Sequence, residues 1–512
     1  MLVKTFGSAI HGIDAIIITV EVSITKGVNF FMVGLPDNAV KESQQRIATA
    51  LNSNGFKMPG RKIVINMAPA DIRKEGSAYD LTLAIGILSA SGQIPVDKID
   101  RYLIMGELSL DGGLRPVRGA LPIAIKAREM GLKGIILPAQ NAREAAIVKG
   151  LDVHGAQNLS EVAGFFKGDV KLHLVSVDAR IEFQKGVNEW DVDFADVKGQ
   201  ENVKRALEIA AAGGHNLLMI GSPGSGKTML ARRIPSILPP FTLQESLETT
   251  KIHSVAGRIA SKHSLMTSRP FRSPHCTISP AAMAGGGVVP YPGEVSLSHN
   301  GVLFLDELPE FQRAVLEVMR QPLEDRTIDI SRAKFSVRYP AGFMLVASMN
   351  PCPCGYYNHP ERDCVCHPGM VQKYLNRISG PLLDRIDIHI EVVPVPFDKL
   401  SERRIAESST VVRERVRIAR QVQEKRFSDN HSTHCNSQMS SKMLHEHCSF
   451  NSTGKLLLKN AMNKLGLSAR AYDRILKLAR TIADLEHSME IENFHLAEAI
   501  QYRSLDRAAW AG

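Results

Sequence analysis

The chain has 512 residues, of which 44% are hydrophobic, and its formal net charge is +9. This length predicts about three domains, each able to bury a core, and no apolar run reaches the roughly 18 residues that a membrane-spanning helix needs. The positive charge favours a polyanionic partner. The seven cysteines, an odd number and partly clustered, indicate the reducing cytoplasm and argue against a disulfide framework.

Residues 1–166 alternate apolar strands with helices, which predicts an α/β domain. Strands are expected at 63–67 and 134–138, and helices at 78–91 and 121–130. The stretches 74–78, 106–110 and 117–121 resemble the proteolytic domain of Lon proteases, in which a Ser nucleophile works with a Lys base. Ala78 and Leu121 stand at those two positions, so the resemblance implies a Lon-like fold without peptidase activity.

The nearest alternative nucleophile in this domain is Ser77. It has no matching base, because Lys126 lies five positions beyond Leu121. The domain is therefore expected to serve ring assembly, DNA contact or both. An ATP-dependent protease is the least favoured functional class.

A linker is predicted at 167–192, and a nucleotide-binding domain follows it. The run 221–228 reads GSPGSGKT, which fits G-x-x-x-x-G-K-[ST] between a strand at 215–220 and a helix at 229–234. Its glycines let backbone N–H groups face phosphate oxygens, and the helix N-terminus adds a positive end. The predicted nucleotide contacts are Gly221, Ser222, Pro223, Gly224, Ser225, Gly226, Lys227, Thr228 and Met229.

Two further strands end in polar residues suited to ATP hydrolysis. The apolar strand 302–305 is followed by Asp306, predicted to bind Mg²⁺ together with Thr228, and by Glu307, predicted to polarise the attacking water. The apolar strand 343–349 is followed by Asn350. This amide would orient the water or touch the γ-phosphate; the alternative is an Asn that caps the turn before Pro351.

Two insertions interrupt this domain. The Gly- and Pro-rich stretch 279–293 is neither good helix nor good strand, and it is predicted as a pore-loop insert or simply a surface loop. Residues 327–331 and 335–339 alternate with the strand period and predict a hairpin with a basic tip. Arg332 and Lys334 in that tip are the candidates for DNA phosphate contacts; a solvated turn explains them equally.

Four cysteines form two C-x-C pairs within fifteen positions: Cys352, Cys354, Cys364 and Cys366. Four thiols are the ligand number of tetrahedral Zn²⁺, so a zinc site is predicted. His359 or His367 would serve as substitute ligands. Because this site would pin the loop after Asn350, metal loss is expected to impair ATP turnover as well.

The chain from 398 onwards is predicted to be helical, with helices in 401–427, 456–485 and 491–500 that form a lid over the nucleotide. Arg470, at the start of one lid helix, would reach the nucleotide. Arg385 precedes a buried strand and would reach the γ-phosphate of a neighbouring subunit. The alternative for Arg385 is a local pair with Asp384 or Asp387.

Several strings resemble the magnesium-chelatase-like AAA+ ATPases, and within them the ComM family of competence-associated branch-migration helicases. They are PFRSPH at 270–275, GGG at 285–287, PGEVSLSHNG at 292–301 and MNPCPCG at 349–355, and the resemblance runs nearly end to end. It implies hexameric rings, with Val197 and Gly199 against the adenine. Asn350 would be sensor 1, Arg385 the trans-acting arginine finger and Arg470 sensor 2.

The predicted architecture is α/β, with a Lon-like domain at 1–166, an AAA+ domain with a parallel sheet at 193–397 and a helical lid at 398–512. The predicted function is that of an ATP-dependent DNA helicase that uses ATP, Mg²⁺ and Zn²⁺. It would promote branch migration or strand exchange on single-stranded or branched DNA, in natural transformation or homologous recombination. The alternative is a chelatase-like motor that remodels a partner protein.

Overall fold

The computed structural model describes residues 2–186, 192–259, 264–287, 290–332, 335–357, 359, 361–396, 406–430 and 433–503. The strands are β1 Leu2–His11, β2 Asp14–Thr25, β3 Phe30–Val33, β4 Lys62–Ala68, β5 Tyr102–Ile104, β6 Glu107–Leu108, β7 Leu114–Arg115, β8 Gly134–Pro138, β9 Asp152–Ala156, β10 His173–Val175, β11 Leu217–Ile220, β12 Phe271–Arg272, β13 Gly285–Gly286, β14 Tyr291–Pro292, β15 Val302–Leu305, β16 Thr327–Arg332, β17 Phe335–Pro340, β18 Met344–Met349 and β19 Ile388–Glu391.

The helices are α1 Asn38–Ser53, α2 Asp80–Ala90, α3 Ala120–Glu129, α4 Ala139–Ala145, α5 Leu159–Lys167, α6 Ala179–Gly186, α7 Glu201–Gly213, α8 Lys227–Ile237, α9 Leu243–Val255, α10 Pro280–Ala284, α11 Glu294–Leu297, α12 Arg313–Val318, α13 Arg320–Asp325, α14 Pro368–Leu375, α15 Gly380–Leu383, α16 Ser409–Arg426, α17 Ser441–His447, α18 Ser452–Leu465, α19 Ala469–Leu485 and α20 Asn493–Gln501. None of the helices in the described ranges is long and apolar enough to cross a membrane.

The described residues form two compact units. The first contains the residues up to 186 together with those of 243–267, and the second contains the rest. In the first unit, eight strands form one mixed sheet in the order β10-β9-β8-β5-β1-β2-β4-β3. Helix α2, which packs against β1 and β2, is buried along its whole length because nearly all its residues are apolar or small.

Helix α9 belongs to the first unit, although it falls within the range 193–397 predicted for the ATPase domain. It packs on α3, and the N–H of Gly119 donates to the carbonyl oxygen of Ser254 at 3.1 Å. The buried face of α9 carries Thr249, Thr250 and His253. Because these polar residues share that face with Ile252 and Val255, the sequence lacks the continuous apolar stripe that would have predicted a packed helix.

The predicted linker 167–192 also contains regular structure. Strand β10 pairs antiparallel with β9 at the edge of the eight-stranded sheet, and α6 follows it. A strand of three residues is too short to show the period-2 pattern from which strands are predicted.

The second unit is built on a five-stranded sheet in the order β12-β15-β18-β11-β19, in which all neighbouring strands are parallel. The C-terminal helices share its core; Val416 of α16 and Ile475 of α19 are fully buried in the same cluster as Leu217 of β11. The predicted α/β class, parallel sheet and helical C-terminal region are confirmed. Because β11, β15 and β18 are neighbours, the residues that follow them meet at one sheet edge.

Candidate active site

The phosphate loop joins β11 to α8 at the carboxyl end of the sheet. All of β11 is buried, and α8 begins at Lys227 directly after Gly226. Gly224 and Gly226 have φ values of 78° and 91°, which glycine adopts without strain. A Cβ atom on Gly221 would lie 2.2 Å from the carbonyl oxygen of Val392, so a larger residue does not fit. The loop therefore has the tight turns that a phosphate cradle needs.

Lys227 is 9% exposed, and its ammonium group bonds within the loop. Nζ donates to the carbonyl oxygens of Gly221 and Ser222 at 2.8 and 2.9 Å, and to Asn350 Oδ1 at 3.3 Å. Burial lowers the pKa of Lys227, and the nearby carboxylates oppose this shift. A charge so poorly solvated gains much from contact with an anion.

Asp306 is held from three sides at the end of β15. Thr228 Oγ1 donates to Oδ2 at 2.8 Å, while Ser348 Oγ and the backbone N–H of Glu307 donate to Oδ1. The hydroxyl of Thr228 and the carboxylate of Asp306 are oxygen donors of the kind that Mg²⁺ prefers. Ser348 is absent from the sequence prediction, although its hydroxyl in the otherwise apolar, fully buried strand β18 is a usable signal.

Glu307 is exposed and has a φ of 55°, in the left-handed region. For a residue other than glycine this conformation costs about 1–3 kcal/mol and is typical of functional sites. The turn continues as a 3₁₀ helix, Leu308–Glu310, which contains Glu310. The fold therefore keeps a strained backbone at the position predicted to activate water.

A cavity of about 540 Å³ lies beside Glu307 and Asn350. Its other lining residues are Glu310, Pro353, Met370, Lys373, Tyr374 and Arg377. Burial raises the pKa of Tyr374 to about 12, and the backbone N–H of Asn350 opposes this shift. The residues of α14 in this cavity are absent from the sequence prediction, because their proximity to Asn350 arises only from folding.

The segment predicted to contact adenine runs beside the phosphate loop. Val197 is buried, and Gly199 has a φ of 63°. Gln200 Nε2 donates to the carbonyl oxygen of Ser225 at 2.8 Å, so the segment is tied directly to the loop. Met229, on α8, is 41% exposed. Gln200 is therefore a residue of this site that is absent from the sequence prediction.

Arg385 is buried, and its guanidinium group binds residues outside the phosphate loop. Its Nη2 donates to Glu324, and its Nη1 donates to the carbonyl oxygen of Pro381 at 2.5 Å. Burial lowers the pKa of Arg385, Glu324 raises it, and the charges of Arg320 and Arg470 lower it further. Arg470 itself is exposed in the first turn of α19. The carboxylate bound to Arg385 is therefore Glu324.

Asp387, the other expected partner of Arg385, has different contacts. It binds Arg474 of α19, its Oδ2 accepts from the N–H of Asn216 at 3.0 Å, and His215 Nδ1 lies 3.4 Å from it. The side chain of Asn216 in turn donates to the carbonyl oxygen of Arg385 at 3.0 Å. The residues just before β11 therefore tie the backbone of Arg385 and the lid helix to the strand that carries the phosphate loop.

The four predicted zinc ligands converge in space. The sulfur atoms of Cys352, Cys354, Cys364 and Cys366 all lie within 4.8 Å of one another. Cys354 Sγ is 3.3 Å from Cys352 Sγ and 3.5 Å from Cys364 Sγ. Four sulfurs at the Zn–S distance of about 2.3 Å would be about 3.8 Å apart, so this arrangement fits tetrahedral zinc with little adjustment.

The thiol of Cys354 is the most acidic of the cluster. Burial raises its pKa, but backbone N–H groups of Tyr356 and Val365 and the neighbouring thiols lower it to about 6. A thiolate at neutral pH is the form that binds metal.

Comparison with known families gives matches along most of the chain. Residues 193–400 match the family described as magnesium chelatase, subunit ChlI, and residues 406–503 match its C-terminal part. Residues 20–141 match the family described as subunit ChlI of Mg-chelatase.

Two known proteins are similar to this chain over nearly its whole length. The chain is 43% identical over 508 residues to competence protein ComM of Haemophilus influenzae, a match that covers 99% of this chain and 98% of that protein. The chain belongs to the magnesium-chelatase-like ComM family. It is also 44% identical over 498 residues to the uncharacterized protein YifB of Escherichia coli, which covers 97% and 96% of the two chains.

Membership of this AAA+ family implies ATP and Mg²⁺ as ligands, ATPase activity and oligomerisation. The phosphate-loop residues of this ComM-family chain are suited to bind the phosphates of a nucleotide. Among the residues that the structure describes, Ser222 Oγ is a buried hydroxyl without a hydrogen-bond partner. A buried hydroxyl left unbonded is costly, and a phosphate oxygen would satisfy it.

The Lon-like part of the ComM-family chain also matches a protease. It is 34% identical over 112 residues to Lon protease 2 of Bacillus subtilis, which covers 22% of this chain and 19% of that enzyme. Ser77 Oγ donates to Glu107, and Lys126 pairs with Glu129 at 3.0 Å. Leu121 is fully buried. Ser77 is therefore bonded to a carboxylate rather than to a lysine, and the absence of peptidase activity remains a prediction.

The side chains predicted to contact DNA lie outside the described residues of this ComM-family chain, although most of their hairpin is described. Strands β16 and β17 pair antiparallel, and Arg332 stands opposite Phe335 at the end of the hairpin. Lys334 lies outside the described residues, as does the side chain of Arg332.

Proposed function

We propose that this ComM-family chain is an ATP-hydrolysing DNA motor of the cytoplasm that works as a hexameric ring. It would promote branch migration or strand exchange on single-stranded or branched DNA during natural transformation or homologous recombination. The observation that carries the proposal is the pairing of Lys227 with Asn350 and of Thr228 with Asp306 in a chain similar over its whole length to a competence protein.

The roles proposed for the site residues follow from their contacts. Lys227 binds the β- and γ-phosphates, and its bond to Asn350 is exchanged for one to the γ-phosphate. Thr228 and Asp306 hold Mg²⁺, which supplies charge neutralisation at the phosphates. Glu307 accepts the proton of the attacking water, and Asn350 orients that water.

Ring formation gives Arg385 and Arg470 their proposed roles. Arg385 is the arginine finger that stabilises transition-state charge on a neighbour's γ-phosphate, and Arg470, as sensor 2, contacts the nucleotide. The bond from Arg385 to Glu324 supports an exchange of partners, because Glu324 is half exposed and can release the arginine. A phosphate carries more charge than a carboxylate and binds both guanidinium nitrogens.

We also propose that the four clustered cysteines bind Zn²⁺ as a closed structural site. Four sulfur ligands leave no open coordination position, so this metal would not take part in hydrolysis.

The DNA contacts are proposed at the basic hairpin tip, and this proposal can be tested by removing its charges. Changing Arg332→Ala together with Lys334→Ala is expected to weaken binding to every DNA sequence. The slope of log Kd against log salt concentration should also fall by about 1.4 to 1.8, because each of the two lost phosphate contacts releases about 0.7 to 0.9 counterions. Fluorescence anisotropy with labelled single-stranded and branched DNA over a range of salt concentrations measures both effects.

A matched control is available on the same hairpin. Arg338 is exposed and already paired with Asp329 at 2.7 Å, so Arg338→Ala should alter DNA affinity far less than the double variant does. Unchanged affinity in the double variant would place the DNA path elsewhere on the protein.

The second candidate is a chelatase-like motor that remodels a partner protein. It is favoured by the three matches to magnesium-chelatase families and by 25% identity over 255 residues to the magnesium-chelatase 67 kDa subunit of Heliobacterium mobile, which covers 43% of this chain and 38% of that protein. Wild-type protein that binds no DNA in the anisotropy experiment would favour this candidate.

A further inference from the structure

The proposed zinc site lies within a segment that contacts the nucleotide site at several points. This segment, here called the four-cysteine segment, comprises residues 352–377 and follows Asn350 closely. It contains the four clustered cysteines and ends with α14 and the two residues after it. Its contacts reach the phosphate loop, Asn350 and the turn after Glu307.

The first contact joins the four-cysteine segment to the phosphate loop. Gly355, directly after Cys354, has a φ of 85° and packs against Pro223. A Cβ atom at Gly355 would lie 2.4 Å from Pro223 Cδ. The backbone of the cysteine loop therefore rests on the phosphate loop so closely that only glycine fits.

The second and third contacts come from α14 and its C-terminal end. Tyr374, which is 6% exposed, lines the same cavity as Asn350. Arg377 Nη1 donates to Glu310 Oε1 at 2.8 Å and approaches the carbonyl oxygen of Pro309 at 3.5 Å. The segment thus supports both Asn350 and the strained turn that contains Glu307.

Apart from the Gly355 contact, the described residues of the cysteine loop are held by local bonds such as that from Arg362 Nη1 to the phenol oxygen of Tyr356 at 2.8 Å. Among its described residues from 352 to 367, only Cys352 and Gly355 are buried, and Val365 is 83% exposed. No helix or strand occurs among these described residues before α14. A loop without a hydrophobic core depends on cross-links or metal for its order. The four sulfurs are the groups that can supply this order.

We propose that Zn²⁺ bound by the four cysteines orders the four-cysteine segment and thereby holds the nucleotide site in its ATP-binding geometry. The metal acts through Gly355 on the phosphate loop and through Tyr374 and Arg377 on Asn350 and the Glu307 turn. This inference rests on the proposed zinc site. It requires ATP binding but not DNA binding, so it can fail while the proposed DNA motor stands.

The test uses the full-length protein and two readouts, zinc per chain by elemental analysis and Kd for a fluorescent ATP analogue. Wild-type protein is expected to contain about one zinc per chain. Cys364→Ser is expected to lose the metal and to bind the analogue at least about tenfold more weakly. Cys276→Ser, which lies outside the cluster, is the matched control and should change neither readout.

Gly355→Ala tests the contact between the cysteine loop and the phosphate loop without removing a zinc ligand. It keeps all four thiols but places a Cβ atom against Pro223, so zinc content should remain near one per chain while nucleotide affinity falls. If Cys364→Ser does not fold, removal of zinc from the wild-type protein by a chelator replaces it, and added Zn²⁺ should restore nucleotide binding. Loss of zinc without a change in nucleotide affinity would contradict the proposed effect of zinc on the nucleotide site. Wild-type protein that contains no zinc would contradict the zinc site itself.

Discussion

Lys227→Ala is expected to lower the rate of ATP hydrolysis at least about a hundredfold and to weaken nucleotide binding. Removing one preorganised donor from a site of developing charge typically costs a factor of about 10² to 10³. Lys227 is such a donor, because its ammonium group is largely buried and bonds to the phosphate-loop carbonyl oxygens and to Asn350. Steady-state hydrolysis and titration with a fluorescent ATP analogue measure the two effects.

The control for this variant is a lysine of the same charge outside the site. Lys459→Ala, on the exposed face of α18, should leave both measurements unchanged. The melting temperature of Lys227→Ala should not fall, since burial disfavours the charged form of this lysine. Normal hydrolysis by Lys227→Ala would contradict the assignment of the phosphate site.

Glu307→Gln is expected to separate binding from hydrolysis. Hydrolysis should fall by about 10² to 10⁴, the usual contribution of a general base, while nucleotide affinity is retained. Glutamine has the same shape as glutamate, so the variant keeps the turn with its φ of 55° and removes only the proton acceptor. With ATP bound and not hydrolysed, the ring should persist, and light scattering coupled to size exclusion detects it.

Glu414→Gln provides the comparison for this second variant. This exposed carboxylate, on α16, accepts a hydrogen bond from Arg417 Nε at 2.8 Å outside the nucleotide site, and its substitution should leave hydrolysis intact. If Glu307→Gln turned over ATP at the wild-type rate, another residue would have to activate the water.

Much of the nucleotide site is predictable from sequence because its residues follow buried strands. Apolar stretches before the phosphate loop, Asp306 and Asn350 predict strands β11, β15 and β18, and parallel neighbours bring their carboxyl ends together. Local spacing also predicts that the four cysteines meet, because all lie within fifteen positions.

Other parts of the site depend on contacts between distant residues and carry no local signal. Arg385 binds Glu324, which is 61 positions away, rather than a neighbouring aspartate. Tyr374 lines the same cavity as Asn350, and Arg377 binds Glu310, only because the cysteine loop folds back. Helix α9 packs in the first unit through a largely polar face, so its sequence has no apolar stripe that would indicate where it belongs.

The central claim is that ATP hydrolysis by this chain serves movement on DNA. The most direct test is the ATPase rate of the wild-type protein with and without single-stranded and branched DNA, with Glu307→Gln as the blank. A DNA motor predicts strong stimulation by DNA that is absent from the blank. A rate that DNA leaves unchanged, in protein that also binds no DNA, would contradict the claim and favour a motor that acts on a partner protein.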